Sequence, residues 1–162
     1  MAEHASLRLS FRMMKESETF NSIYEIEEFV RNCHAKVEDE VVFPALRTVL
    51  KLENKEDTIT EVLNRLEADH KLIDKIGEQI RVRTVEGDAE ILSKRISLYF
   101  STVETHNTVE ERQLFPYWIN SAEQEWALRQ RAMKIIGDFG LNRYYEITGF
   151  SEELLKMFDT PA

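Results

Sequence analysis

One short phrase occurs twice in the chain, and each copy places a histidine four residues before a glutamate. HAKVEDEVVFP spans residues 34–44 and HNTVEERQLFP spans residues 106–116, with five of eleven positions identical. Residues four apart lie on one face of an α-helix, so each histidine points the same way as its glutamate. Valines flank both pairs, which predicts that they face a core. The two pairs are His34 with Glu38 and His106 with Glu110.

These residue types at core positions predict a metal site. An ionised carboxylate in an apolar core is costly unless a cation compensates it, and no lysine or arginine shares these faces. The other two histidines, His4 and His70, also lie on apolar helix faces. Carboxylates that can bridge favour two ions over one, and manganese or zinc would accept the same ligands as iron. The predicted metal ligands are His4, His34, Glu38, His70, His106 and Glu110.

The elements that must position these ligands are predicted to be helices. Glycine (5) and proline (3) are scarce, and apolar residues recur every three or four positions over long stretches. Capping signals predict helix starts at Ser22, Thr58, Asp88 and Ser121. The predicted helices lie near 2–18, 22–51, 58–85, 88–119 and 122–138, with the last ending around Gly137 or Gly140 and a short sixth after Ser151.

Short connections between long helices favour antiparallel neighbours. The prediction is therefore an all-α fold: an up-down-up-down four-helix bundle over residues 1–120, extended over 121–162 by one or two C-terminal helices. A rise of about 1.5 Å per residue brings His4 level with His34, and His70 level with His106. The tail from 141 to 162 is apolar, so we expect it to dock on the bundle or on a partner, including a second copy of the chain.

Composition narrows the function classes. The 162 residues suit one domain, and the net charge of −9 disfavours nucleic acid or an anionic membrane as a partner. We find no apolar run long enough to span a membrane and no leader-like N-terminus, and Cys33 has no second cysteine to pair with. These features favour a cytoplasmic protein. Cys33 itself is interpreted as core filler.

At this point the sequence resembles the hemerythrin-like (HHE cation-binding) domain family over about residues 1–120. The residues that carry the resemblance are His4, His34-x-x-x-Glu38, His70 and His106-x-x-x-Glu110, in that order, with Phe-Pro after each His-x-x-x-Glu. In that family a four-helix bundle surrounds a non-haem di-iron centre with bridging carboxylates. The resemblance implies that Glu38 and Glu110 bridge two irons and that the four histidines are terminal ligands.

The chain departs from the oxygen-carrying members of that family in two places. His70 is followed four residues later by Asp74 rather than by a second histidine, and the last motif is His-x-x-x-Glu rather than His-x-x-x-x-Asp. Fewer histidines leave coordination positions for water or an exogenous ligand. The alternatives for filling a vacant position are Glu67, Asp74, Tyr24, Tyr99 and Tyr117. Asp39 and Glu111, next to the glutamates, are interpreted as solvent-facing acids.

Three functions remain open from the sequence. The first is reversible binding or sensing of O2, with NO as a second ligand, at a di-iron centre. The second is an enzyme that consumes peroxide or NO at the same centre. The third is an iron-responsive module whose folding depends on metal and whose apolar C-terminal region transmits the signal. The sequence contains no Gly-rich phosphate loop and no Gly-x-Ser-x-Gly motif.

Overall fold

Helices make up nearly all of the described chain in this computed structural model. It describes residues 2–17, 23–52, 56–86, 89–118 and 125–150. No strand occurs within these ranges, which confirms the all-α prediction. The up-down-up-down order of the helices stays a prediction.

The observed helix bounds follow the predicted ones closely in the first half of the chain. The helices are α1 (Ala2–Ser17), α2 (23–52), α3 (Glu56–Glu86), α4 (Ala89–Gln113), α5 (Phe115–Trp118), α6 (Glu125–Phe139) and α7 (Leu141–Thr148). The predicted fourth helix is interrupted at Leu114, and Thr58 lies inside α3 rather than at its start. The predicted caps at Ser22, Asp88 and Ser121 and the predicted helix after Ser151 lie outside the described residues.

The sequence predicts helix α2 as one α-helix that Pro44 kinks or shortens, and the structure shows further departures before Pro44. Two π-helical segments, Val30–His34 and Glu38–Val42, alternate with α-helical turns before the regular helix resumes at Phe43. In a π turn the N–H bonds to the carbonyl five residues back, as Ala35 does to Val30 and Phe43 does to Glu38. The extra residue in each turn changes the direction of the side chains that follow. Two of the predicted ligands are in these segments.

A hydrogen bond joins α2 to α6 close to Pro44. The carbonyl of Glu40, four residues before Pro44, accepts it from the guanidinium of Arg131 on α6. Proline has no N–H to offer to a carbonyl of the preceding turn. Arg131 thus supplies a donor at a turn where Pro44 has none.

The core consists of two apolar clusters. The first joins α1 to α4 with α6 and α7, and its fully buried members include Leu7, Phe29, Cys33, Ile80 and Tyr99. The second contains Phe43, Leu46, Leu50, Ile59, Leu63, Leu66 and Leu114. The core position predicted for Cys33 is confirmed, and burial raises the pKa of its thiol.

Helix α7 was not predicted as a separate helix, and it packs against the start of the chain. Gly140, with φ of 112°, separates α6 from α7, and Gly149 ends α7 in the left-handed conformation with φ of 69°. Of the two predicted ends for α6, Gly140 is therefore right and Gly137 is wrong. The hydroxyl of Ser6 on α1 donates to the carbonyl of Thr148 at 2.6 Å.

Among the described helices, none combines the length and the apolar character that a membrane crossing requires.

Candidate metal centre

All six residues predicted as ligands are buried in the interior of the described bundle. Each comes from one of the four long helices, and none is more than 8% exposed. Their exposed fractions are His4 1%, His34 3%, Glu38 5%, His70 8%, His106 2% and Glu110 0%. The helices therefore bring together side chains that are up to 106 positions apart in the sequence.

Glu38 lies at the middle of the cluster and directs its two carboxylate oxygens to different histidines. Oε1 lies 3.2 Å from Nε2 of His34 and 3.7 Å from Nε2 of His4. Oε2 lies 3.1 Å from Nε2 of His70 and 3.7 Å from Nε2 of His106. One carboxylate thus contacts two separate pairs of imidazoles.

Glu110 also lies between the two histidine pairs. Its Oε2 is 3.3 Å from Nε2 of His4 and 3.6 Å from Nε2 of His106. Neither of its oxygens has a hydrogen-bond partner among the described residues, although both are buried. A buried carboxylate in this position is costly unless a cation compensates it.

The donor atoms form two groups that share one residue. In each group the candidate ligand atoms lie within 4.8 Å of one another, and every member is buried. The first group is His4, His34, Glu38 and Glu110, and the second is Glu38, His70 and His106. Two overlapping groups joined by a carboxylate form an arrangement suited to two neighbouring cations.

Three of the histidines have their outer ring nitrogen held by a carboxylate. Nδ1 of His34 lies 2.8 Å from Glu3, and Nδ1 of His70 lies 2.8 Å from Asp39. A carboxylate accepts hydrogen bonds, so these contacts place the proton on Nδ1 and leave Nε2 free as a metal donor. Histidines bound to metals ordinarily have such a partner.

His4 has the most elaborate support of the four. Its Nδ1 lies 3.0 Å from Oε1 of Glu111, and Arg8 donates to both oxygens of the same carboxylate at 2.8 and 2.9 Å. His106 is the exception, since its Nδ1 is 3.9 Å from Asp69 and has no hydrogen-bond partner among the described residues. Each carboxylate near an Nδ1 comes from a different helix than the histidine it faces.

Sequence reasoning missed these supporting acids. Asp39 and Glu111 were interpreted as solvent-facing. Asp39 is indeed 44% exposed, yet its carboxylate also holds His70. Glu111 is only 22% exposed and holds His4. The signal that could have found them is in the repeat itself, because an acid follows the glutamate in both copies. No comparable signal in the sequence points to Glu3.

The repeated Phe-Pro places an aromatic ring on a histidine of another helix. Phe43 stacks on His70 with ring centroids 5.5 Å apart, and Phe115 stacks on His4 at 5.4 Å. These rings cover the imidazoles on their apolar side and limit the directions in which they can turn.

The two glutamates have opposite pKa shifts. Burial alone would raise the pKa of Glu38, but the neighbouring imidazoles, His34 foremost, lower it well below its usual range. Burial raises the pKa of Glu110 well above its usual range, and the charge of Glu38 raises it further. Without a cation, the surroundings thus favour the charged form of Glu38 and disfavour the charged form of Glu110.

The histidines also differ from one another. Burial alone would lower the pKa of His70, but Asp39 and Glu38 outweigh burial and raise it to about 9. Burial lowers the pKa of His106. The imidazole of His70 thus binds a proton more tightly than the imidazole of His106 does.

These buried atoms fit a metal ion. Nε2 of His34 and both oxygens of Glu110 are buried without a hydrogen-bond partner among the described residues, and Nε2 of His70 faces Nε2 of His106 at 3.0 Å. Once deprotonated, each of these atoms offers a lone pair to a cation. Imidazole nitrogens together with carboxylate oxygens are the donors that iron, manganese and zinc accept.

Comparison with known families agrees with this geometry. The family model described as the hemerythrin HHE cation binding domain matches residues 1–118. The chain belongs to this hemerythrin family. No curated protein and no solved structure matched the chain. The family match ends before α6 and α7, so these two helices of the hemerythrin-like chain lie outside the matched segment.

The two acids considered from the sequence as additional ligands, Glu67 and Asp74, have other surroundings than the six predicted ligands. The Asp74 side chain is 57% exposed and lies 3.9 Å from Arg31, and Glu67 pairs with Arg47 at 2.9 Å. Neither residue belongs to the two groups of donor atoms in the hemerythrin-like domain. Tyr99 is buried, and its hydroxyl has no hydrogen-bond partner among the described residues.

A pocket of about 420 Å³ reaches the centre of the hemerythrin-like domain at His70. Apolar side chains and acids of α2 and α3 line most of it, and Tyr99 of α4 completes the wall. The lining residues nearest in sequence to His70 and Glu38 are Glu67, Lys71, Ile73, Ala35 and Asp39. A small solute in this pocket would meet His70 before any other predicted ligand, because no other predicted ligand lines it.

Proposed function

We propose that this hemerythrin-like chain holds two iron ions in its core and reversibly binds O2, or NO, there as a carrier or sensor. The observation that carries the proposal is the position of Glu38. Each of its oxygens faces a different histidine pair, with His34 at 3.2 Å on one side and His70 at 3.1 Å on the other. A single ion would use one side only, whereas a bridging carboxylate uses both.

The two proposed ion positions have unequal numbers of ligands. His4, His34, Glu38 and Glu110 would hold the first ion. The second ion would have Glu38, His70 and His106, with Glu110 contributing its oxygen 3.6 Å from His106. A metal site with few protein ligands keeps a position open for an exogenous ligand.

The pocket supports placing that open position beside His70. It gives a small molecule a path between α2 and α3 to the side of the centre that has fewer ligands. Four acids and two basic residues, Arg31 and Lys71, line the pocket. This excess of negative charge favours neutral diatomic molecules over anions. The acids are Glu27, Asp39, Glu67 and Asp74.

Iron ions at this site would supply the electrons that a diatomic ligand accepts, and the chain supplies a rigid, dry set of donors. Buried histidines with a carboxylate on Nδ1 stay in one tautomer and one orientation. Phe43 and Phe115 cover two of the rings, and burial keeps bulk water from the carboxylates. Manganese or zinc would fit the same donors.

Optical spectroscopy of the iron-loaded protein tests this function. The protein is reduced without oxygen and then exposed to O2 or to NO. We expect a visible absorption change that lasts for minutes and reverses when the gas is removed. No absorption change with either gas, or permanent oxidation in one exposure, would overturn the carrier or sensor function.

An enzyme that consumes peroxide or NO is the second candidate, and the same open side beside His70 supports it. The pocket would admit neutral peroxide as readily as O2. Multiple turnovers distinguish the two functions. If the iron-loaded protein removes many equivalents of peroxide or NO per chain, the enzyme is favoured over the carrier.

A further inference from the structure

We propose that Tyr144 is a positioning residue of the metal centre, and that helix α7 thereby senses whether the centre holds metal. The inference rests on the proposed metal site. It concerns a residue outside the segment that the family model matches, since that segment ends at residue 118. Tyr144 does not touch the ligands directly and acts through one intervening carboxylate.

A continuous line of hydrogen bonds connects α7 to the centre. The hydroxyl of Tyr144 donates to Oε1 of Glu3 at 2.6 Å, and Oε2 of Glu3 lies 2.8 Å from Nδ1 of His34. On the other side of its ring, Nε2 of His34 lies 3.2 Å from Oε1 of Glu38. Three helices, α7, α1 and α2, thus contribute successive members of one line.

The direction of each hydrogen bond in this line is fixed by chemistry. A phenol donates its single proton to the carboxylate of Glu3, which leaves the second oxygen to accept the proton on Nδ1 of His34. Glu3 therefore has both oxygens occupied, each in a charge-assisted bond. Removing the phenol hydroxyl would free one oxygen and let the carboxylate rotate away from His34.

Tyr144 is held firmly enough to position Glu3. Its side chain is only 3% exposed, and its ring packs parallel to Phe150 at 6.1 Å and against Phe29 at 6.0 Å. Burial raises the pKa of its phenol, so the hydroxyl stays protonated and remains a donor. The adjacent Tyr145 is only partly buried, and its ring lies edge-on to Tyr144.

Helix α7 is also fixed to the two helices that carry this part of the centre. Arg143 donates to both oxygens of Glu28 on α2 at 3.1 and 2.7 Å, and Ser6 on α1 donates to the carbonyl of Thr148. Binding at one end of such a connected set must affect the other end by the same free energy. Metal binding at His34 should therefore strengthen the docking of α7, and loss of metal should weaken it.

Tyr144→Phe tests the proposal, because it removes the hydroxyl and keeps the ring. Tyr145→Phe is the matched control on the same helix. Cobalt(II) is titrated into both variants and the wild type against a competing chelator, and the visible cobalt spectrum reports ligand geometry. We expect about a 10-fold to 100-fold weaker affinity and an altered spectrum in Tyr144→Phe, with wild-type behaviour in Tyr145→Phe.

Hydrogen exchange of the wild type provides a test that needs no variant. We expect the amides of residues 141–148 to exchange more slowly when cobalt(II) is bound than when the protein is metal-free. Two results would overturn the positioning role alone. One is a folded Tyr144→Phe with wild-type cobalt affinity and spectrum. The other is an exchange rate of the α7 amides that is the same with and without cobalt(II). A wild-type protein that binds no cobalt, iron or zinc would overturn both this role and the proposed function.

Discussion

Nε2 of His70 lies 3.0 Å from Nε2 of His106, so two buried imidazoles on neighbouring helices face each other nitrogen to nitrogen. Their outer nitrogens face acids, Asp39 at 2.8 Å and Asp69 at 3.9 Å. Two neutral rings that both carry the proton on Nδ1 would direct lone pairs at each other. Such a pair needs either a shared proton or a cation, and this need leads to the first prediction.

In the metal-free protein the proton should reside on His70. Its pKa is raised from 6.5 to about 9, so the stability it contributes is complete below pH 6.5 and is lost as the pH rises through about 9. We therefore expect the melting temperature of the chelator-treated protein to fall between pH 7 and pH 9. His70→Gln should flatten this part of the curve, because glutamine does not titrate.

Metal loading provides the control for this pH dependence. A bound cation replaces the proton between the two rings, so the loaded wild type should show a smaller fall over the same interval. An equal fall in the metal-free wild type and in metal-free His70→Gln would contradict the assignment of the proton to His70.

The support of His4 by Glu111 predicts a loss of metal affinity in Glu111→Gln. The glutamine keeps the shape of the side chain but loses the charge that holds both Arg8 and Nδ1 of His4. Removal of such a partner ordinarily lowers metal affinity by about 10-fold to 100-fold. Isothermal titration with zinc(II) measures the change.

Glu90→Gln is the matched control for that variant. Glu90 lies on the same helix, its side chain is 81% exposed and its partner is Lys94, far from any predicted ligand in the sequence. It should bind zinc as the wild type does. Equal affinities in Glu111→Gln and Glu90→Gln would show that Glu111 has no part in holding the site.

Alanine substitutions at two helical glycines, Gly77 and Gly137, should have opposite effects on the stability of the protein. A Cβ added at Gly77 would lie 2.6 Å from Oε1 and 2.9 Å from Cγ of Glu27, a buried acid that pairs with Arg31 and Arg81. That side chain cannot move without losing its partners, so Gly77→Ala should destabilise the protein by about 1–3 kcal/mol. Chemical denaturation measures the difference in unfolding free energy.

Gly137→Ala is the control, because no atom of the described residues lies within 4 Å of a Cβ at that position of α6. Alanine is the better helix former by about 1 kcal/mol, so this variant should be at least as stable as the wild type. If both alanine variants stabilised the protein, the close packing of Glu27 against α3 would be refuted.

The buried cluster of histidines and glutamates was predictable from the sequence because its signal is local and repeated. A histidine four residues before a glutamate, on an apolar face, marks a helix position whose burial needs an explanation. His4 and His70 have no such motif around them, yet each lies on an apolar stripe of its own helix. Periodicity alone therefore placed all six residues in the core, where the structure has them.

The acids on the outer side of the histidines were not predictable in the same way. Asp39 and Glu111 lie on partly exposed faces, where most acids are solvated, and only the folded bundle shows that a histidine from another helix reaches them. Contacts between distant segments leave no periodic signal. The link from Tyr144 to Glu3 spans 141 positions and is a contact of this kind.

The π-helical turns of α2 are a second feature that the sequence pattern does not predict. Residues 30–42 have ordinary helix-forming side chains and an unbroken apolar stripe, which indicates a regular α-helix. The π turns contain His34 and Glu38, and π turns are frequent at functional sites because they redirect side chains.

Metal content measures the central claim most directly. The purified chain is loaded with iron(II) without oxygen, freed of excess metal and assayed for iron and protein. We expect about two irons per chain in the wild type and about one in His70→Ala, which removes a ligand of only the second group. One iron or none in the wild type, or two in His70→Ala, would contradict a centre in which Glu38 joins two ions.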